Sequence, residues 1–191
     1  MKQLYIIAGC NGAGKTTASY TVLPEILECH EFVNADEIAK GLSPFNPSSV
    51  AIEAGRLMLK RINELLLAGV DFSVETTLST KSYTRLVQSA QRLGYRVNLI
   101  YFWLNSLELA VSRVAQRVAN GGHDIPRNVI YRRYQAGLDN LFSIYMSCVD
   151  YWMLADNSNS PRIIVAEGGV NLKSKIYDEK LFNEIKEHAT D

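Results

Sequence analysis

The chain has 191 residues, of which 47% are hydrophobic and 21% charged. That length and balance suit one folded domain with a substantial core and exclude a chain disordered throughout. Lys+Arg and Asp+Glu both number 20, giving a formal charge of zero, which argues against non-specific binding to nucleic acid or to an anionic membrane surface.

The N-terminal stretch Met1 to Ile7 lacks a signal-peptide profile, because glycines and polar residues follow at once. Leu4 to Ala8 is a short apolar run ending at Gly9, which suits a buried strand. A helix is expected from about Lys15, and a second strand over Glu31 to Asn34. Ser49 to Leu67 reads as a helix with Ile52, Leu57, Leu59, Ile62 and Leu66 in its apolar set. Val70 to Glu75 alternates apolar with polar residues, and a helix should run from about Lys81 to Leu93. Arg96 to Leu104 is rich in aromatic and branched residues and reads as a strand. It includes the longest strongly apolar run, Leu99 to Leu104, far short of the ~18–20 residues that span a bilayer. Leu107, Val111, Val114 and Val118 mark one helical face. A long helical pattern after Pro126 extends to Ala155, and Arg162 to Ala166 reads as the last core strand. Residues after Asn171 are polar and read as a peripheral strand or helix. Strands alternating with helices predict an α/β chain, a three-layer fold with a mostly parallel sheet. No linker or repeat divides it, so residues 1–191 are expected to form a single domain. Cys10, Cys29 and Cys148 are too scattered for a disulfide framework, which predicts reduced thiols and a cytoplasmic location.

Gly9-Cys10-Asn11-Gly12-Ala13-Gly14-Lys15-Thr16 fits G-x-x-x-x-G-K-[ST] at every fixed position, and Thr17 follows. The motif stands after the first strand and opens a helix, as a phosphate loop must. Glycines let the backbone turn its amides toward phosphates, and the helix N-terminus adds partial positive charge. Lys15 should reach the β- and γ-phosphates and Thr16 should offer its hydroxyl to Mg²⁺. The glycine spacing does not fit the dinucleotide fingerprint G-x-G-x-x-G. The chain is therefore expected to bind ATP. A guanine-reading Asn-Lys-x-Asp stretch is absent, and the nearest approach to a Walker-B strand, Val70 to Glu75, ends in a single Glu. A small-molecule kinase is favoured. The alternative is a slow ATPase that acts as a switch through a protein partner.

Asp36 follows the second strand. A carboxylate there can take the proton of an attacking hydroxyl, or it can simply cap the helix that Asn34-x-x-Glu37 opens. Glu75 ends a strand, where open α/β sheets place ligands. It can stand near Mg²⁺, accept hydrogen bonds from an acceptor's hydroxyls, or cap the next helix. Arg113, Arg117, Arg127, Arg132 and Arg133 crowd one window around Gly121-Gly122 and Pro126. That is the layout of a helical lid over about 113–133, whose guanidinium groups meet the transferring phosphoryl. Arg117 and Arg133 are the first candidates for that contact, and Arg132 is assigned to ATP. A solvated basic face is the competing reading. His123 has no role readable from sequence.

The ordered set of motifs resembles the zeta-toxin family of P-loop kinases. The matching stretches are Ala8 to Thr17, Phe32 to Ile38, Leu42 to Pro47, Glu75 to Ser79 and Gly121 to Pro126. The resemblance implies transfer of the γ-phosphate of ATP to a hydroxyl of UDP-N-acetylglucosamine, with Mg²⁺, and allows an antitoxin protein as partner. It implies that Asp36 is the catalytic base and that Glu75, Thr76 and Thr77 face the acceptor. The stretch Gly121-Gly122-His123 departs from the toxins, in which an arginine is expected before the proline.

Overall fold

The computed structural model describes residues 1–122 and 124–189, so His123 lies outside the described residues. Seven strands form one sheet in the order β2-β3-β1-β4-β5-β6-β7. They are β1 (Lys2–Gly9), β2 (Glu31–Val33), β3 (Phe72–Thr76), β4 (Tyr95–Trp103), β5 (Tyr151–Asp156), β6 (Ile163–Gly169) and β7 (Leu172–Ile176). The first five run parallel, and β6 and β7 add antiparallel edges. The helices are α1 (Lys15–Glu25), α2 (Ala35–Leu42), α3 (Ala51–Ala68), α4 (Tyr83–Arg92), α5 (Leu107–Ala119), α6 (Arg127–Ser143) and α7 (Glu179–Glu187).

The period-2 geometry of strands sorts the core into two layers. Leu4, Ile6 and Ala8 of β1, with Val97, Leu99 and Tyr101 of β4, face α3, α4 and α7. Ile7 of β1, with Ile100 and Phe102 of β4, faces α1 and α5. Central strands buried on both faces make β1 and β4 near-continuous apolar runs. This is the expected α/β, three-layer plan.

Two local expectations are corrected. In α3 the buried residues are Ala54, Met58, Ile62, Leu65 and Leu66, whereas Ile52, Leu57 and Leu59 face outward. Apolar residues occupy both sides of this helix. The inner set wins by burying side chains worth about 1.5–3 kcal/mol each. The helix after Pro126 ends at Ser143, not Ala155. A short 3₁₀ turn follows, and Tyr151–Asp156 is strand β5, hydrogen-bonded between β4 and β6. The strand near Ile163 is the last to reach the core, as expected, through Val165 and Ala166, and the wholly exposed β7 pairs with it at the sheet edge. Ile163 and Ile164 at its start are largely exposed.

Helix α6 positions the site. Its Ile130 and Tyr134 join one core layer while Leu138 and Leu141 join the other. It therefore packs across the carboxyl ends of the central strands. The Tyr134 hydroxyl donates to the Leu104 carbonyl at 2.6 Å, and the Asn140 amide donates to the Leu78 carbonyl at 2.9 Å. A Cβ at Gly137 would lie 2.4 Å from the Thr77 carbonyl oxygen, so only glycine lets the helix approach the loop after β3. Gly137→Ala gains up to about 1 kcal/mol in helix propensity. Backbone overlap should cost more, about 1–3 kcal/mol. The net expectation is a lower melting temperature. Gly55→Ala in α3, where a Cβ meets nothing within 4 Å, should raise it. Thermal unfolding of the two variants reads this difference, and equal shifts would contradict it.

Candidate functional site

Residues Gly9 to Thr16 turn from β1 into α1. Gly12 and Gly14 take φ of 81° and 78°, the left-handed conformation that the tight loop requires. The loop is clamped from outside. The Asn157 amide donates to the Ala13 carbonyl at 2.8 Å. Arg113 donates to the carbonyls of Asn157 and Ser158, both at 2.8 Å. The guanidinium of Arg133 donates to the Asn11 side chain at 3.3 Å, tying α6 to the loop.

Lys15 is the first residue of α1 and is 7% exposed. Its ammonium donates to the Cys10 carbonyl at 2.9 Å and stands 3.7 Å from Glu75 Oε1. The Thr16 hydroxyl donates to Glu75 Oε2 at 2.8 Å, and the Asn34 amide donates to the same oxygen at 3.0 Å. Burial pushes the Glu75 carboxyl above its ordinary range, while Lys15 and the Thr16 hydrogen bond hold it down. The parallel register explains the contact. Ile7 pairs with Glu75, so the carboxylate lies level with the start of the loop.

Asn34 caps α2, accepting hydrogen bonds from the backbone N–H of Asp36 at 2.8 Å and of Glu37 at 3.4 Å. Asp36 is therefore not the cap. It is exposed, and it lines a cleft of about 820 Å³ together with Lys15, Thr16 and Glu75. The same cleft takes in Asn11, Gly12, Gly14, Thr17, Thr76, Thr77, Arg117 and Arg133. A second cavity of about 640 Å³ shares Thr16, Thr17, Asp36 and Arg117 with the first, and extends to Tyr20, Lys40 and Ser48.

Not every expected residue meets the cleft. Gly9, Cys10 and Ala13 lie buried behind its lining. Burial raises the Cys10 thiol to about 11, which keeps it protonated and inert. Arg132 is exposed and is not among the lining residues. Arg127 stands 3.7 Å from Glu108 in a surface pair. Gly121 and Gly122 donate to the carbonyls of Val118 and Arg117, closing α5 with a Schellman-type stop. Arg162 was not expected, yet it lines the cleft with its guanidinium 5.3 Å from the Phe102 ring centre. Its only sequence signal is its place at the start of the last core strand.

A model of the Zeta toxin family matches residues 1–159. The chain belongs to the zeta toxin family. An uncharacterized protein of Haemophilus influenzae is 30% identical over 126 residues, 66% of this chain and 88% of that protein. Crystal structures of the AvrRxo1-ORF1:AvrRxo1-ORF2 complex, one with sulphate ions and one with ATP, match with a TM-score of 0.79. Identity there is 18%, covering 97% of this chain and 64% of that chain. This zeta toxin family member thus spans just under two thirds of that structure. The PezAT chromosomal toxin-antitoxin system of Streptococcus pneumoniae matches with a TM-score of 0.65 at 16% identity, covering 99% of this chain and 86% of that chain. At such identities the likeness is one of fold. Family and fold agree: the chain is a zeta toxin family member with the same α/β fold as these structures. Among the described residues, no helix is long and apolar enough to cross a membrane.

Proposed function

We propose that this chain transfers the γ-phosphate of ATP to a hydroxyl of a sugar nucleotide, with UDP-N-acetylglucosamine as the leading acceptor. The observation that carries the reading is the place of Asp36. It is an exposed carboxylate, relieved of capping by Asn34, where two cavities meet beside Lys15 and Thr16. The larger cleft takes in both the phosphate loop and Glu75, Thr76 and Thr77, so donor and acceptor can meet within it. The choice of sugar nucleotide rests on the family.

In this reading the amides from Gly9 to Thr17 cradle the phosphates, and Lys15 neutralises charge on the β- and γ-oxygens. Asp36 accepts the proton of the acceptor hydroxyl as it attacks. Glu75, Thr76 and Thr77, at the carboxyl end of β3, hold and orient the acceptor. The stretch 113–133 serves as a lid, with Arg117 and Arg133 directed at the transferring phosphoryl. The hydroxyl of Thr16 and the carboxylates of Glu75 and Asp36 form a hard oxygen donor set that fits Mg²⁺. Among the described residues no cluster of three His, Cys, Asp or Glu could hold a metal alone. When bound, Mg²⁺ would offset the charge of the phosphates. An antitoxin partner is part of this proposal, because AvrRxo1-ORF1 is matched in complex with AvrRxo1-ORF2 and PezAT is a toxin-antitoxin system.

The test is ATP turnover with and without a panel of sugar nucleotides, with the product weighed by mass spectrometry. Strong stimulation by one acceptor and a product heavier by one phosphoryl group support the kinase. Hydrolysis that no acceptor stimulates supports the switch. Arg117→Ala and Arg133→Ala should each lower kcat about 10–100-fold, the loss of one charge-assisted hydrogen bond of about 1.5–3 kcal/mol. KM for ATP should change less, because the contact strengthens as charge shifts in the transition state. Unchanged kcat in both variants would return these arginines to a solvated face.

A further inference from the structure

Asn34 uses both ends of its side chain. Its Oδ1 accepts the amides of Asp36 and Glu37, the first turn of α2. Its Nδ2 donates to Glu75 Oε2, the oxygen that also takes the Thr16 hydroxyl. Residue 34 is 6% exposed, so water competes weakly for these bonds. Helix α2 carries Asp36, while Glu75 belongs to β3 and Thr16 to α1. A single amide therefore links the helix of the acceptor side to the wall of the phosphate site. Cap and link also differ in what they ask of residue 34. Asn, Asp and Ser cap about equally well, but Asp has no donor and Ser lacks the longer amide arm that reaches Glu75 here.

We infer that Asn34 is a positioning residue, which holds Asp36 in register with the phosphate loop through Glu75. This rests on the reading of Asp36 as the base. Lys15, on α1, faces Glu75 from the phosphate loop and supplies its countercharge. Asp36 and Glu37 at the start of α2 add negative charge on the other side. With like charges gathered there, an uncharged donor such as the Asn34 amide is the group that can join the two sides. Misplacement of a reacting group by about 1 Å can cost about 10²-fold in rate.

The experiment compares the wild-type chain with Asn34→Ser and Asn34→Asp. Both keep a good cap and lose the amide donor, Ser without adding charge. Melting temperature and equilibrium ATP binding should stay near wild type in Asn34→Ser. The kcat for acceptor phosphorylation should fall about 10–100-fold in both variants, with KM for ATP changed less than about threefold. A second readout needs no acceptor. Hydrogen exchange of the α2 amides, 35–42, should quicken about tenfold in both variants while that of α3 stays as in wild type. Wild-type kcat and wild-type α2 exchange in Asn34→Ser would overturn the positioning role. A loss confined to Asn34→Asp would also overturn it, since added charge would then be the cause. If the wild-type chain phosphorylates no acceptor in the panel, the functional reading fails. The α2 exchange in Asn34→Ser then decides the link by itself: quickened exchange sustains it and wild-type exchange overturns it.

Discussion

Asp36→Asn should abolish most acceptor phosphorylation, by about 10²–10⁴-fold, while the fold and the ATP affinity stay near native. The substitution keeps size and removes only charge. Stability should change little, because Asn34 and not Asp36 supplies the cap of α2. An acidic residue in the first turn does interact with the helix dipole. Its loss should cost about 0.3–1 kcal/mol, a small fraction of total stability. ATP affinity depends on Lys15, Thr16 and the loop amides, none of which hydrogen-bonds the Asp36 side chain among the described contacts. The measurement is a kcat for phosphorylated acceptor beside a melting curve and an ATP titration. Near-wild-type transfer in Asp36→Asn would remove the base assignment. A large fall in melting temperature would instead give Asp36 a structural role that the cap geometry does not support.

The contrast between Asp36 and Asn34 marks where sequence reading stops. The spacing Asn34-x-x-Glu37 announces a helix start, but it leaves open which side chain turns back onto the backbone. Local φ and ψ at Asn34, −134° and 119°, settle it, and these depend on where β2 delivers the chain. The phosphate loop was legible because each of its positions answers a local demand: glycine for positive φ, a helix start for the dipole, Lys and Thr at fixed offsets. Glu75 was legible only as a strand-end carboxylate. Its contact with Thr16, 59 residues away in sequence, follows from the β1–β3 register, which no local pattern encodes.

The misplaced elements have similar causes. Helix α3 carries Ile52, Leu57 and Leu59 outside and Met58, Ile62 and Leu65 inside, so its apolar pattern points in two directions. Between Leu138 and Ser160 there is no Gly or Pro to punctuate the chain. The end of α6 and the start of β5 therefore merge into one apolar pattern, although Tyr151 to Leu154 has the composition of a strand. The crossing of α6 over the carboxyl ends of the strands was not readable at all. Gly137 looks like an unfavourable helix residue until the Thr77 carbonyl is seen against it.

Lys15→Ala should reduce phosphoryl transfer by about 10²–10³-fold, as loss of one preorganised donor at developing charge does, or about 2.7–4 kcal/mol. The ammonium is already in place. It is almost fully buried, anchored on the Cys10 carbonyl and facing Glu75, so little reorganisation is needed when phosphates arrive. Alanine removes both charge and stem, and it leaves the buried Glu75 carboxylate without its cation. Lys15→Met separates these effects by restoring much of the apolar stem. Both variants should lose transfer alike, because the charge acts on the phosphates. Their stabilities should differ, with Met nearer to wild type through the packing that it keeps. Neither should unfold, since Thr16 and Asn34 still donate to Glu75. The measurements are single-turnover transfer with saturating ATP and thermal unfolding of both variants. If Lys15→Met transferred phosphoryl at the wild-type rate, Gly9 to Thr16 would be no phosphate loop, whatever its fit to the motif.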